Sequence, residues 1–113
     1  MYEYRAKVRS VHDGDSFRGD VDLGFGIVVR DMAFRLHGID APELGTDAGR
    51  AARDALRTWM PPGSNVVIRT HKDHGDKYGR LLAEVWRDEP HAACINQWLL
   101  DAGHAVPYTG GPR

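Results

Sequence analysis

The repeat of hydrophobic residues changes along this chain, and the order of those changes constrains the fold more than any other feature. Tyr4, Ala6 and Val8 alternate with Arg5, Lys7 and Arg9, the period of two expected of a strand with one face on a core. Phe17, Val21 and Leu23 repeat that period. Met32, Phe34 and Leu36 then alternate with Ala33, Arg35 and His37, so a third strand turns Arg35 away from the side that packs the core. The Gly24 to Gly26 segment reads as the turn between strands two and three. From Thr46 to Met60 the period lengthens: Ala52, Ala55, Leu56 and Trp59 form the stripe of an amphipathic helix, with Thr46 as its cap and Pro61-Pro62-Gly63 as its stop. Asn65 to Thr70 and Leu81 to Trp86 read as two more strands, with the polar stretch His71 to Gly79 as a loop between them. A second helix is expected with Pro90 near its start, Ile95, Trp98, Leu99 and Ala102 as its stripe, and Gly103 as its stop.

Three strands, a helix, two strands and a helix fit an α+β domain: a five-stranded β-barrel of the OB-fold kind with two packed helices. The chain has 113 residues, the size of one ordinary domain, so residues 1–113 are expected to form a single unit. No apolar run approaches the ~18 residues of a membrane span, and the polar, alternating N-terminus is unlike a signal peptide. This favours a cytoplasmic or virus-associated site over a secreted one, with no membrane partner. The lone cysteine, Cys94, is read as a buried structural thiol on the apolar face of the second helix. Trp59, Trp86 and Trp98 are read as core residues. The net charge of −1 excludes the broad basic surface of a generic nucleic-acid binder, so any attraction to phosphate must come from a local cluster of cations.

Three patches hold residues suited to chemistry. His12-Asp13-Gly14-Asp15-Ser16 lies between strands one and two, and Asp15 shares parity with Phe17 and Val21, so it leans toward the barrel mouth, where a carboxylate needs a metal or an arginine. Arg35 to Glu43 runs off the third strand. Pro42 holds Ala41 extended and keeps Asp40 and Glu43 out of any helix. Asp76-Lys77-Tyr78-Gly79-Arg80 opens the fifth strand. Together they supply oxygen ligands for a hard cation, a carboxylate able to act on water, and two guanidinium groups that match phosphate oxygens, which is the inventory for hydrolysing a phosphodiester. Six histidines raise the question of zinc, but no Cys or His pair has a standard ligand spacing. His71 and His74 are read as loop residues and His37 as solvated.

On these residues the chain resembles the staphylococcal nuclease family from Tyr4 to about Tyr108. The matching segments are Val11 to Ser16, Arg35 to Glu43, Asp76 to Ala83 and Ile95 to Gly103. The resemblance implies an OB-fold barrel, Ca²⁺ as cofactor, and endonucleolytic and exonucleolytic cutting of DNA or RNA that leaves 3′-phosphates. By position it implies Asp15, Asp40 and the backbone carbonyl of Ala41 as metal ligands, and Glu43 as the residue that activates or orients water. Arg35 and Arg80 would hold the phosphate and stabilise the transition state. Lys77 and Tyr78 would contact the nucleotide, with Tyr108 as a second aromatic wall.

The chain departs from the family pattern in three places. Ala41 stands where the best-known member has threonine, the segment Leu44-Gly45-Thr46-Asp47 replaces a longer lysine-rich loop, and the last helix of longer relatives is missing after Thr109 to Arg113. A monomer is expected. The other class of function weighed is a catalytically silent OB-fold module that binds nucleic acid or protein, but such a module has no physical need for Asp15, Arg35, Asp40, Glu43 and Arg80 together.

Overall fold

The computed structural model describes residues 2–75 and 80–108. Three long strands come first: β1 (Tyr2–Asp13), β2 (Ser16–Gly24) and β3 (Ile27–Leu36). A two-residue strand, β4 (Ile39–Asp40), precedes helix α1 (Asp47–Trp59), and β5 (Asn65–Gly75), β6 (Leu81–Arg87), α2 (Ile95–Asp101) and β7 (Val106–Pro107) follow. The five long strands close a barrel in the order β1-β2-β3-β6-β5, and β4 pairs with β7 in a separate small sheet. Closure comes from one short parallel contact, Phe34 to Leu36 of β3 against Leu81 to Ala83 of β6. The α+β barrel with two helices is therefore the fold expected from the sequence.

The core is the inner face of the barrel. Ala6, Val8, Phe17, Val21, Phe34, Leu36, Val66, Ile68, Ala83 and Val85 are buried there. The Phe17 and Phe34 rings stack with centroids 5.1 Å apart; burying side chains of this size stabilises by roughly 1.5–3 kcal/mol each before entropy is counted. Val11 is also buried, although strict alternation from Val8 would turn it outward. Irregularities in the β1–β2 register between Val8 and Ser10 and between Val11 and Asp13 reset the parity. Helix α1 buries Ala52 and Leu56, Met60 follows it into the core, and its Thr46 cap accepts from the Gly49 amide at 3.0 Å.

Several local expectations are corrected. Leu23 is 43% exposed, because the β2–β3 hairpin runs on beyond the part that covers the core. The segment His71 to Gly75 is strand, since β5 keeps pairing with β6 through an irregular register as far as Gly75 opposite Leu81. Helix α2 starts at Ile95, not near Pro90: a bridge between Trp86 and Cys94 and a left-handed residue at His91 turn the chain first. Cys94 consequently caps α2 and is only half-buried. Ala102, at the helix C-terminus, is exposed. Trp59 and Trp98 lie at the margin of the core with rings 4.9 Å apart, and Arg87 and Arg69 lie over Trp59 and Trp86 respectively. Among the described residues no helix is long and apolar enough to cross a membrane.

Candidate active site

The turn from β1 to β2 is pressed into the protein. A Cβ on Gly14 would come within 2.7 Å of Ala52 Cβ and 2.8 Å of Ala41 Cβ, so only glycine lets the turn lie between α1 and the segment after β4. Asp13 ties the turn through Oδ1, which accepts from the Asp15 amide at 3.1 Å and from Ser16 Oγ at 2.6 Å. Asp15 therefore projects inward and is 6% exposed. Its Oδ2 accepts from the Ala41 amide at 2.9 Å, which fixes the carboxyl against the loop that also carries Asp40.

Arg35 meets both carboxylates. It points away from the barrel core, as alternation requires, yet it is only 3% exposed. Its Nη2 donates to the Ile39 carbonyl at 3.0 Å and lies 3.5 Å from Asp15 Oδ2 and 3.4 Å from Asp40 Oδ1. Its guanidinium carbon is 5.0 Å from the centre of the Tyr108 ring. The cover over Arg35 is the small sheet that sequence patterning missed: β4 pairs with β7 through Ile39–Pro107 and Asp40–Val106, and the Tyr108 amide donates to Gly38 at 2.9 Å. Two residues per strand leave no hydrophobic period to read.

The electrostatics of the turn are those of a proton-sharing pair. Burial first, and a hydrogen bond with Asp13 second, push the Asp15 carboxyl up to about 7 against the opposing Ala41 amide and Arg35. Burial also works to raise Asp13, but hydrogen bonds from Asp15, the Ser16 hydroxyl and the Asp15 amide outweigh it and hold Asp13 below the ordinary carboxylate range. Asp13 was not singled out from the sequence; its place two residues before Asp15 in an Asx-type turn was the available signal.

Asp15, Asp40 and the Ala41 carbonyl supply oxygen only, the donor type that Ca²⁺ takes. The Arg35 contacts to the two carboxylates are long beside the roughly 2.7–2.9 Å of a charge-assisted hydrogen bond, so lone pairs remain for a cation. Arg35 Nε is buried without a hydrogen-bond partner, a donor placed for an acceptor that the protein itself does not provide. Among the described residues no three His, Cys, Asp or Glu side chains are placed to hold one metal ion. The rest of a six- to eight-oxygen shell would fall to water and substrate.

Glu43 is exposed on the loop leading to α1. Its backbone is pinned: its carbonyl accepts from the Thr46 amide at 3.1 Å and from Thr46 Oγ1 at 2.7 Å. Arg80, half-buried, directly precedes Leu81, whose Cα partner is Phe34, next to Arg35. Lys77 and Tyr78 lie outside the described residues. His37 is not solvated but stacks on His71 at 3.8 Å, while His71 Nε2 lies 2.9 Å from Glu84 Oε1. Asn96, also missed, is buried: its Nδ2 donates to His37 and Ala83 carbonyls at 2.9 and 3.1 Å, and its Oδ1 accepts from the Val85 amide at 3.1 Å. It ties α2 and β6 to the end of the strand that carries Arg35.

A family model described as staphylococcal nuclease homologue matches residues 33–112. The chain is 29% identical over 112 residues to Endonuclease YhcR of Bacillus subtilis, covering 94% of this chain and 9% of that protein. It is 34% identical over 77 residues to an uncharacterized endonuclease of Escherichia coli O157:H7, covering 68% and 47%. A probable staphylococcal-like nuclease, CAN1 of Oryza sativa subsp. japonica, is 29% identical over 86 residues, covering 76% and 24%. The chain spans less than half the length of each of these relatives.

Proposed function

This chain belongs to the staphylococcal nuclease homologue family, and from that premise we propose that it is a Ca²⁺-dependent nuclease that hydrolyses phosphodiester bonds of DNA, RNA or both and leaves 3′-phosphate ends. The observation that carries the proposal is the meeting of Asp15 and Asp40 on one buried guanidinium, Arg35. Relatives named as endonucleases support cleavage within chains.

Asp15, Asp40 and the Ala41 carbonyl would hold the metal. When bound, Ca²⁺ supplies positive charge for the phosphate oxygens and an open shell that admits water. Arg35 and Arg80 bind and orient the phosphate and stabilise the charge that builds on its equatorial oxygens, a task suited to guanidinium forks. Arg35 has an unpartnered Nε for this purpose. Glu43, on its pinned backbone, aligns the attacking water and accepts its proton. Tyr108, beside Arg35, walls the nucleotide site, with Lys77 and Tyr78 as its further contacts.

The test is incubation of the chain with single-stranded DNA, duplex DNA and RNA side by side, in Ca²⁺, in Mg²⁺ and in chelator. The proposal expects cleavage in Ca²⁺ alone, with 3′-phosphate ends. Equal turnover in Mg²⁺ would overturn the calcium assignment, and binding of every substrate without cleavage of any would make the chain a binding module.

A further inference from the structure

Arg35 is enclosed more completely than its proposed task allows. To bond a phosphate oxygen, a guanidinium nitrogen must come within roughly 2.7–2.9 Å of it, yet the Arg35 side chain is 4% exposed and its Nε is buried with no hydrogen-bond partner. In this arrangement no phosphate reaches that nitrogen from solvent. A buried donor left unsatisfied costs stability, and only an acceptor brought in from outside removes the cost. Among the described residues the cover is the β4–β7 sheet, with the Tyr108 ring centre 5.0 Å from the guanidinium carbon.

That cover is fastened lightly. β4 and β7 share two residue pairs, against six between β1 and β5, and one of the two uses Pro107, which has no amide to donate. The Tyr108 amide adds one bond, to the Gly38 carbonyl at 2.9 Å. Val106 is 62% exposed and Pro107 is exposed as well, so little apolar burial holds the segment down. The residues just before it are anchored. The Gly103 and His104 amides donate to the Leu100 and Leu99 carbonyls at 3.1 and 2.9 Å, and Ala105 lies in the core. Few backbone bonds and exposed side chains beyond a firm anchor describe a piece of chain that opens locally at small cost while the barrel stays intact.

We propose that Val106, Pro107 and Tyr108 form a strap that lifts from β4 to admit a phosphate to Arg35 and closes over it. The pivot follows Ala105, where burial ends. With a phosphate in place, closure gives Arg35 Nε its acceptor, so the anion favours the closed strap by this difference between the two states. Asp40 is the partner of Val106, so the same closure sets a proposed metal ligand beside the phosphate-holding arginine. That the anion is the scissile phosphate rests on the nuclease reading; the lifting of the strap does not.

The experiment is modification of arginines by phenylglyoxal in the intact chain, followed residue by residue by mass spectrometry. The reaction takes far longer than the opening of a loop, so its rate at Arg35 reports the fraction of molecules with the strap lifted. In the wild type Arg35 should react at least about tenfold more slowly than Arg30, whose side chain is 72% exposed. The double variant Val106→Gly with Pro107→Gly loosens the backbone and touches no buried side chain; it should raise the rate at Arg35 by about five- to thirtyfold and leave Arg30 unchanged. A phosphorothioate oligonucleotide in Ca²⁺ should slow the reaction at Arg35 and not at Arg30. By hydrogen exchange, the wild-type Tyr108 amide should exchange ahead of the paired amides of β1 and β5, and the double variant should leave those barrel amides at their wild-type rates.

Wild-type Arg35 reacting as fast as Arg30, a double variant with an unchanged Arg35 rate, or a Tyr108 amide as protected as those of β1 and β5 would overturn the strap. So would acceleration of the barrel amides by the same factor as Arg35, since the opening would then be global. Faster modification in the double variant without protection by the oligonucleotide would uphold the lifting of the strap and count against the nuclease reading instead.

Discussion

Glu43 and Asp15 show how differently two carboxylates of the proposed site are prepared. Glu43 is exposed, and what the fold fixes is its backbone, through the two bonds from Thr46 to its carbonyl. A water molecule at neutral pH is a poor nucleophile, and a general base contributes roughly 10² to 10⁴ in rate. Glu43→Gln should therefore lower single-turnover cleavage by about that factor while leaving the circular dichroism spectrum unchanged; cleavage within a few-fold of wild type would remove Glu43 from the mechanism. Asp15 is prepared by burial. Its carboxyl is raised from 3.8 to about 7, so the folded protein holds that proton more tightly than the unfolded chain does. The resulting stabilisation is complete below about pH 4 and is lost as pH rises through 7. A cation needs the ionised form and must displace the proton below pH 7. Added Ca²⁺ should then raise the melting temperature more at pH 8 than at pH 5. An equal rise at both would place the metal away from Asp15.

At the scale of elements, the site is assembled by close approaches that hydrophobic patterning does not encode. A Cβ on Gly49 would come within 1.9 Å of the Glu43 carbonyl oxygen, so the first turn of α1 is moulded onto the loop bearing the proposed water-activating residue. Gly49→Ala must push that loop aside. It should destabilise by about 1–3 kcal/mol and slow cleavage beyond what lost stability explains; thermal melting and single-turnover rates below the melting transition check both. Strands and helices longer than six residues were legible because their apolar periods are strong: Ala6, Val8, Phe34, Leu36, Ala52 and Leu56 lie where the pattern put them. The motif residues Asp15, Arg35, Asp40 and Ala41 were legible as a set, and the structure brings them together. What stayed hidden has local physical reasons. Register shifts in β1 turned Val11 inward, and β4 and β7 are too short to carry a period. The burial of Arg35 depends on those two strands, so an outward-facing arginine by alternation became an enclosed one.

For the whole molecule, a net charge of −1 leaves no general field to gather a polyanion. On the proposed function, hold on the phosphate and catalysis both rest on the centre where Asp15, Arg35 and Asp40 converge. The account depends most on the two carboxylates being the metal's, and Asp40 is the better probe because its side chain is 38% exposed, against 8% for Asp15, so its replacement disturbs packing least. The measurement is the single-turnover rate of cleavage of an end-labelled oligonucleotide as a function of Ca²⁺ concentration, for wild type and Asp40→Asn. The account predicts a saturable wild-type curve that falls to nothing in chelator. For Asp40→Asn it predicts a midpoint shifted upward on the order of 10–100-fold or more, with a lower plateau. Undiminished cleavage in chelator, or an Asp40→Asn curve that overlays the wild type, would contradict it.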